Sequence, residues 1–245
     1  MTPEWPVPAG VHAWCSTREG GVSAPPYDTL NLGDHVADDP VAVAENRKRF
    51  GAQLQARPVF LQQVHGRGVV RLAPDTPDGT EADACWTTQP GIACTMMVAD
   101  CLPVLLADPA GRVVGAAHCG WRGLAGGVLE ALWAQMALVA GRPDRMVAWL
   151  GPCIGPGAFE VGGEVREAFA AHDTGAAALF RPQPDGKFLA DLQGLARRRL
   201  AVLGITGVHG NDGSAPWCTV TEGSRFFSHR RDRVSGRFAA AVWLG

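Results

Sequence analysis

The sequence predicts an α+β fold. Apolar runs of four to eight residues, the length of buried strands, fall in pairs and hairpins as well as alternating with helical segments. A regular parallel βαβ series would alternate strand and helix throughout. No internal repeat, low-complexity tract or linker interrupts the 245 residues, although length alone allows one large domain or two small ones. Hydrophobic residues make up 47% of the chain, enough to bury a sizeable core.

Val11 to Thr17 is the first strand. Gly20 to Gly33 is a long loop rich in turn residues, and such loops are often functional. Asp38-Asp39-Pro40 opens a helix: proline suits the first helical position, an aspartate caps it, and Gly51 lies near its end. Arg47 sits in its last two turns. Pro58 to His65 and Gly68 to Leu72 read as strands, with a surface loop from Ala73 to Glu81. The stretch from Ile92 to Gly127 holds three apolar runs, divided by Asp100-Cys101 and by the turn DPAG. It closes on His118-Cys119-Gly120-Trp121-Arg122-Gly123. Gly126 to Ala140 is a helix stopped by Gly141-Arg142-Pro143. Met146 to Leu150 is a strand and Gly151 to Gly157 a stiff loop. Glu164 to His172 and Asp191 to Leu203 are helices, the second capped by Asp191 and ended by Gly204. Phe226 to His229 and Arg237 to Leu244 form a closing hairpin.

A net charge of -2 gives no basic field for nucleic acid. No apolar stretch is long enough to span a bilayer. The opening MTPEWPVPAG has neither the positive nor the apolar region of a signal peptide. Seven cysteines without tight spacing fit a reducing compartment better than a disulfide framework. A cytoplasmic protein with no nucleic-acid or membrane partner is expected.

Three residues carry the chemistry: His65, Cys101 and His118. Each lies where an apolar run meets a small or polar residue. Two imidazoles and a thiolate suit Zn²⁺, and three protein ligands leave a fourth position open, as in catalytic sites. Taken singly, each also reads as an ordinary strand-end residue. Cys119 should point away from His118, because successive strand residues face opposite sides. The glycine-rich entry to a helix at Gly120 to Gly127 suits an anion, with Arg122 as a bidentate partner, or simply permits a tight turn. Arg47 and Arg230 are further candidates for a polar pocket.

The segments NLGDHVADDP, LQQVHG, ADCLPVLL, AAHCGWRGLAGGVLE, WLGPCIG, FEVGGEVREAF and FFSHRRDRVSGR together resemble the YfiH-type laccase-domain family. Members are described as multifunctional purine nucleoside phosphorylases and as a peptidoglycan editing factor. The resemblance implies one domain over residues 1–245, with mixed β-sheets sandwiched between helical layers. It places the family's zinc ligands on His65, Cys101 and His118. It implies phosphorolysis of adenosine, guanosine, inosine and methylthioadenosine, with adenosine deamination as a side reaction. The implied partners are a purine nucleoside and phosphate, bound by a monomer. Two positions depart from the pattern: Cys119 stands where alanine is usual, and Asp212 to Trp217 is longer than the usual link.

Other chemistries remain open on the same residues. A zinc-bound hydroxide would equally cleave an amino acid mis-incorporated into a peptidoglycan precursor, with the Gly20 to Gly33 loop flanking a larger cleft. Copper is a possible metal, because His₂Cys with a methionine resembles a blue-copper site, yet a multicopper oxidase needs more than seven histidines. Without a metal, Cys101 would be a thiolate nucleophile activated by His118.

Overall fold

Strand alternation sets the layers of this molecule. The computed structural model describes all residues from Met1 to Gly245. In chain order the elements are β1 (Val11–Cys15), α1 (Pro40–Leu54), β2 (Arg57–Phe60), β3 (Val69–Arg71), β4 (Ala84–Thr87), β5 (Ile92–Val98), β6 (Leu102–Ala107) and β7 (Val114–Cys119). There follow α2 (Trp121–Gly126), α3 (Val128–Ala137), β8 (Val147–Leu150), β9 (Glu160–Val161), α4 (Gly163–Ala170), β10 (Phe180–Pro182), β11 (Phe188–Ala190), α5 (Leu192–Val202), β12 (Gly207–Gly210), α6 (His229–Asp232) and β13 (Phe238–Leu244). A six-stranded sheet runs β12-β8-β6-β7-β4-β3 and a four-stranded sheet β1-β13-β5-β2, both with parallel and antiparallel pairs. A small antiparallel sheet runs β10-β11-β9.

The two large sheets pack face to face. Leu105 and Ala107 of β6, and Val114 and Ala116 of β7, meet Cys94, Met96 and Val98 of β5 and Phe238, Ala240 and Val242 of β13. The alternate residues Val104, Leu106, Ala117 and Cys119 face the other way, onto α2 through α5. On the outer face of the four-stranded sheet, Ala93, Met97, Ala239 and Ala241 receive Phe50 and Leu54 of α1. Helices therefore cover both outer faces of a sheet sandwich, as the resemblance implied.

α1 begins where the sequence places it. Asp39 accepts from the Val41 N–H at 2.9 Å, and Pro40 is the first helical residue. The helix runs through Gly51 and ends with Gln55 in the left-handed region.

Three expectations give way. The strand from Pro58 to His65 stops at Phe60, because the N–H groups of Val64, His65 and Gly66 turn onto one carboxylate, Asp83. The helix from Gly126 to Ala140 breaks at Gly127, whose φ of 92° separates α2 from α3. The closing hairpin does not form. Phe226 and Phe227 are core residues outside any strand, and Ser228 accepts from the Arg231 N–H to start α6. β13 pairs instead with β1 and β5. Strand β4 and the short β9 through β12 have no clear apolar period and were not legible.

Candidate active site and metal centre

His65, Cys101 and His118 come together from three separate segments. Their ligand atoms all lie within 4.8 Å of one another. His118 is the penultimate residue of β7, on the face toward the other sheet. Cys101 immediately precedes β6, beside that strand end, because Leu102 pairs with Cys119. His65 lies in the loop after β2, with its Nε2 3.9 Å from Cys101 Sγ.

One buried carboxylate assembles the histidines. Asp83 Oδ1 lies 2.8 Å from His118 Nδ1 and accepts the His65 N–H at 2.9 Å. Its Oδ2 accepts the N–H groups of Gly66 at 2.7 Å and Val64 at 3.2 Å. These bonds hold His65 at φ 61°, a left-handed conformation that costs a non-glycine residue free energy. Burial alone would raise the Asp83 carboxyl. Hydrogen bonds from His118, Gly66 and Val64 outweigh it and keep the group below the usual carboxylate range. With Nδ1 tied to Asp83, Nε2 of His118 is the nitrogen left for a metal, in the carboxylate–histidine arrangement common behind metal ligands.

A second aspartate, itself strained, places the thiol. Asp100 has φ 97°. Its carboxylate accepts from Thr219 Oγ1 and from the Arg230 N–H, both at 2.6 Å, and its carbonyl accepts the Ile154 N–H at 2.9 Å. Gly120 gives the cluster room: a Cβ there would stand 3.0 Å from both Cys101 Sγ and His65 Cδ2.

The electrostatics of the cluster are reciprocal. Burial would raise the Cys101 thiol, but the charge of His118 and hydrogen bonds from both histidines bring it down to about 6. Burial would lower His118, but the Cys101 charge and the bond to Asp83 bring it up to about 9. Without metal the pair is a thiolate and an imidazolium near neutral pH. The donor set fits a borderline-soft divalent cation: two imidazole nitrogens, one thiolate, and a cavity on the open side.

That cavity has a volume of about 450 Å³. Its apolar walls include Met97, Trp121, Ile154 and Phe159, and its polar walls His35, Gln63, His229, Arg122, Arg230 and Arg237. Gln63 is fixed by two bonds to the Met97 backbone, at 2.8 and 2.9 Å. Arg122 is exposed, with its guanidinium 4.4 Å from the Trp121 ring. Arg230 donates to the Glu160 carbonyl at 3.0 Å. Arg47 lines an adjoining cavity instead, paired with Asp34 at 3.1 Å and lying over Phe60. The Gly20 to Gly33 loop is tied to Asn46 of α1 and forms no wall of the main cavity, and neither does Asp212 to Trp217. Sequence reasoning missed Asp83 and Arg237. Only an acid inside the apolar run Ala82 to Trp86 hinted at the first, and nothing local at the second.

Residues 12–245 match the family model described as "Multi-copper polyphenol oxidoreductase laccase". The chain belongs to this laccase-domain family. A protein of Escherichia coli K12 named purine nucleoside phosphorylase YfiH is 52% identical, over 100% of this chain and 98% of its own length. A purine nucleoside phosphorylase of Pseudomonas aeruginosa is 51% identical over the same shares. The crystal structure of a Neisseria meningitidis family member is similar at TM-score 0.93 and 46% identity, covering 100% of this chain and 98% of that one. The YfiH structure from Bacillus licheniformis gives a TM-score of 0.88 at 29% identity, covering 96% of this chain and 93% of that one. The laccase-domain fold, with its mixed sheets, is thus shared by members of widely different sequence. No helix of this chain is long and apolar enough to cross a membrane.

Proposed function

We propose that this chain is a zinc-dependent purine nucleoside phosphorylase. It acts on adenosine, guanosine, inosine and methylthioadenosine, with adenosine deamination as a side reaction, as a cytoplasmic monomer. One observation carries the reading: a His65–Cys101–His118 donor set opens onto a cavity of nucleoside size that also has cationic walls. Names of relatives about half identical over the whole chain support the same activity.

In phosphorolysis a phosphate oxygen bonds to ribose C1′ while the glycosidic C–N bond breaks. The purine leaves with the electron pair and takes up a proton. The chain's residues supply position and charge for this. Trp121, Ile154 and Phe159 offer apolar and aromatic surface for a purine and exclude water. Arg122 and Arg230 bring positive charge to the same space, suited to phosphate. Asp83 fixes the His118 ring and the His65 backbone, which limits the reorganisation the donors need during the reaction. A zinc ion held by His65, Cys101 and His118 would supply Lewis acidity and a water of lowered pKa, which suits deamination at adenine C6.

Copper oxidase chemistry has less support: the chain has seven histidines and only two are in the donor cluster. The test is metal content together with product analysis on adenosine plus phosphate. Wild type should bind about one zinc per chain and release adenine only when phosphate is present. Cys101→Ala should lose the metal and at least about a thousandfold in kcat/KM. Zinc-loaded wild type that releases no adenine would refute the reading.

A further inference from the structure

The arginines around the site are not equivalent. Arg47 has its own acid in the adjoining cavity, Arg122 is exposed, and one arm of Arg230 is spent on a carbonyl. Arg237 is half-buried, lines the main cavity and makes no ion pair. Its Nη1 donates to the carbonyls of Ser235 at 2.9 Å and Gly236 at 3.0 Å. Its Nε and Nη2 have no acceptor in the protein. Its backbone is fixed on both sides: the N–H donates to Asn31 Oδ1 at 2.8 Å, and the carbonyl accepts the Leu32 N–H at 2.9 Å. The absence of a side chain at Gly33 makes space for it, since a Cβ there would lie 2.7 Å from Arg237 Cγ.

The acids near it are already engaged. Both Asp100 oxygens accept hydrogen bonds, from Thr219 and from the Arg230 backbone. The Cys101 thiolate belongs to the donor cluster. Burial pulls the Arg237 pKa down against the charges of Cys101 and Asp100, which marks a partly desolvated cation with no ion-pair partner of its own. A planar fork whose Nε–Nη2 edge is free and lines a cavity matches the paired oxygens of a phosphate group.

We propose that Arg237 is the anchor for a phosphate group in this cavity, with Arg122 and Arg230 as further charges around it. The proposal rests on the phosphorylase reading for its choice of anion and names the residue that binds it. The anchor sits at the root of β13, a central strand of its sheet, so the phosphate position is set by the core and not by a surface loop.

The test uses full-length, metal-loaded wild type, Arg237→Gln and Arg237→Lys. Thermal midpoint is followed against inorganic phosphate and, separately, against AMP; KM is then measured for phosphate and for adenosine. Phosphate should raise the wild-type midpoint and leave that of Arg237→Gln unchanged. The phosphate KM of Arg237→Gln should rise on the order of tenfold or more, with the adenosine KM within about threefold. A rise with AMP alone would assign the site to a phosphate ester; its loss in Arg237→Gln would still support the anchor. If Arg237→Gln fails to fold, Arg237→Lys decides, since it keeps the charge and loses the fork; a phosphate KM equal to wild type would overturn the proposal. A wild type that responds to neither ligand, or a folded Arg237→Gln that responds fully, would also overturn it. A phosphate response lost in Arg237→Gln, in a wild type that releases no adenine, would keep the anchor and sink the phosphorylase reading.

Discussion

Cys101 and Cys119 stand at the same end of the β6–β7 ladder, where Cys119 pairs with the neighbour of Cys101, and they occupy opposite faces of the sheet. Cys119 points into the helical layer, packed in the core with Leu124 and Val128. Burial pushes its thiol far up, and the negative charges of Glu130, Cys101 and Asp83 add to that. Cys101 is half-buried beside two imidazoles, which bring its thiol down to about 6. Neighbouring backbone thus yields one inert thiol and one thiolate. The difference lies in which face each side chain meets, so proximity in the sequence to a candidate metal-ligating histidine says little about ligation.

The largest effect should come from the carboxylate that builds the reactive face. Asp83→Ala leaves three backbone N–H groups and His118 without their acceptor. Denaturant unfolding should show a loss of about 3 kcal/mol or more. Metal affinity should fall at least about tenfold in whatever folded protein remains. Unchanged affinity would mean that the histidines orient themselves.

The thiol contrast can be read by pH. In metal-free protein, iodoacetamide should modify Cys101 at a rate that holds above pH 6 and declines as the pH falls through about 6, where the thiolate protonates. Cys15, pushed up to about 12 by burial, and Cys119 should stay unmodified. Zinc should protect Cys101. The ion pair also links to stability. The depressed Cys101 contributes stability that is lost as the pH falls through about 6, and the raised His118 contributes stability that is lost as it rises through about 9. Across that window the two changes run in opposite directions and offset, so the midpoint of metal-free protein should stay nearly constant between about pH 6 and about pH 9. An inflection near 9 in the alkylation rate would break the comparison.

The smallest effect belongs to the unreactive face. Cys119→Ala trims a buried thiol and should cost about 1 kcal/mol through lost packing, with zinc content unchanged. Loss of zinc would show that the strand bends enough to bring in a second thiol.

Much of this was legible in the sequence. The apolar runs located β5, β6 and β7, the Asp39–Pro40 signal located the start of α1, and the cluster of His65, Cys101 and His118 was picked out from residue type and context. The failures share a physical cause. Local pattern does not report long-range hydrogen bonds: Asp83 ended β2 early, and Asp100 accepts the Arg230 N–H in the first turn of α6. Arg237 read as the start of a strand; its free guanidinium edge emerges only once the chain entering β13 lies beside the Asn31 to Gly33 segment.

One carboxylate grips the backbone of one histidine and the ring of the other. The nitrogen side of the clamp is therefore seated on one carboxylate and the sulfur side on another. That second seat is Asp100, latched from Thr219 and Arg230. A change at that latch would shift the sulfur and leave the His118 ring and the His65 backbone in place.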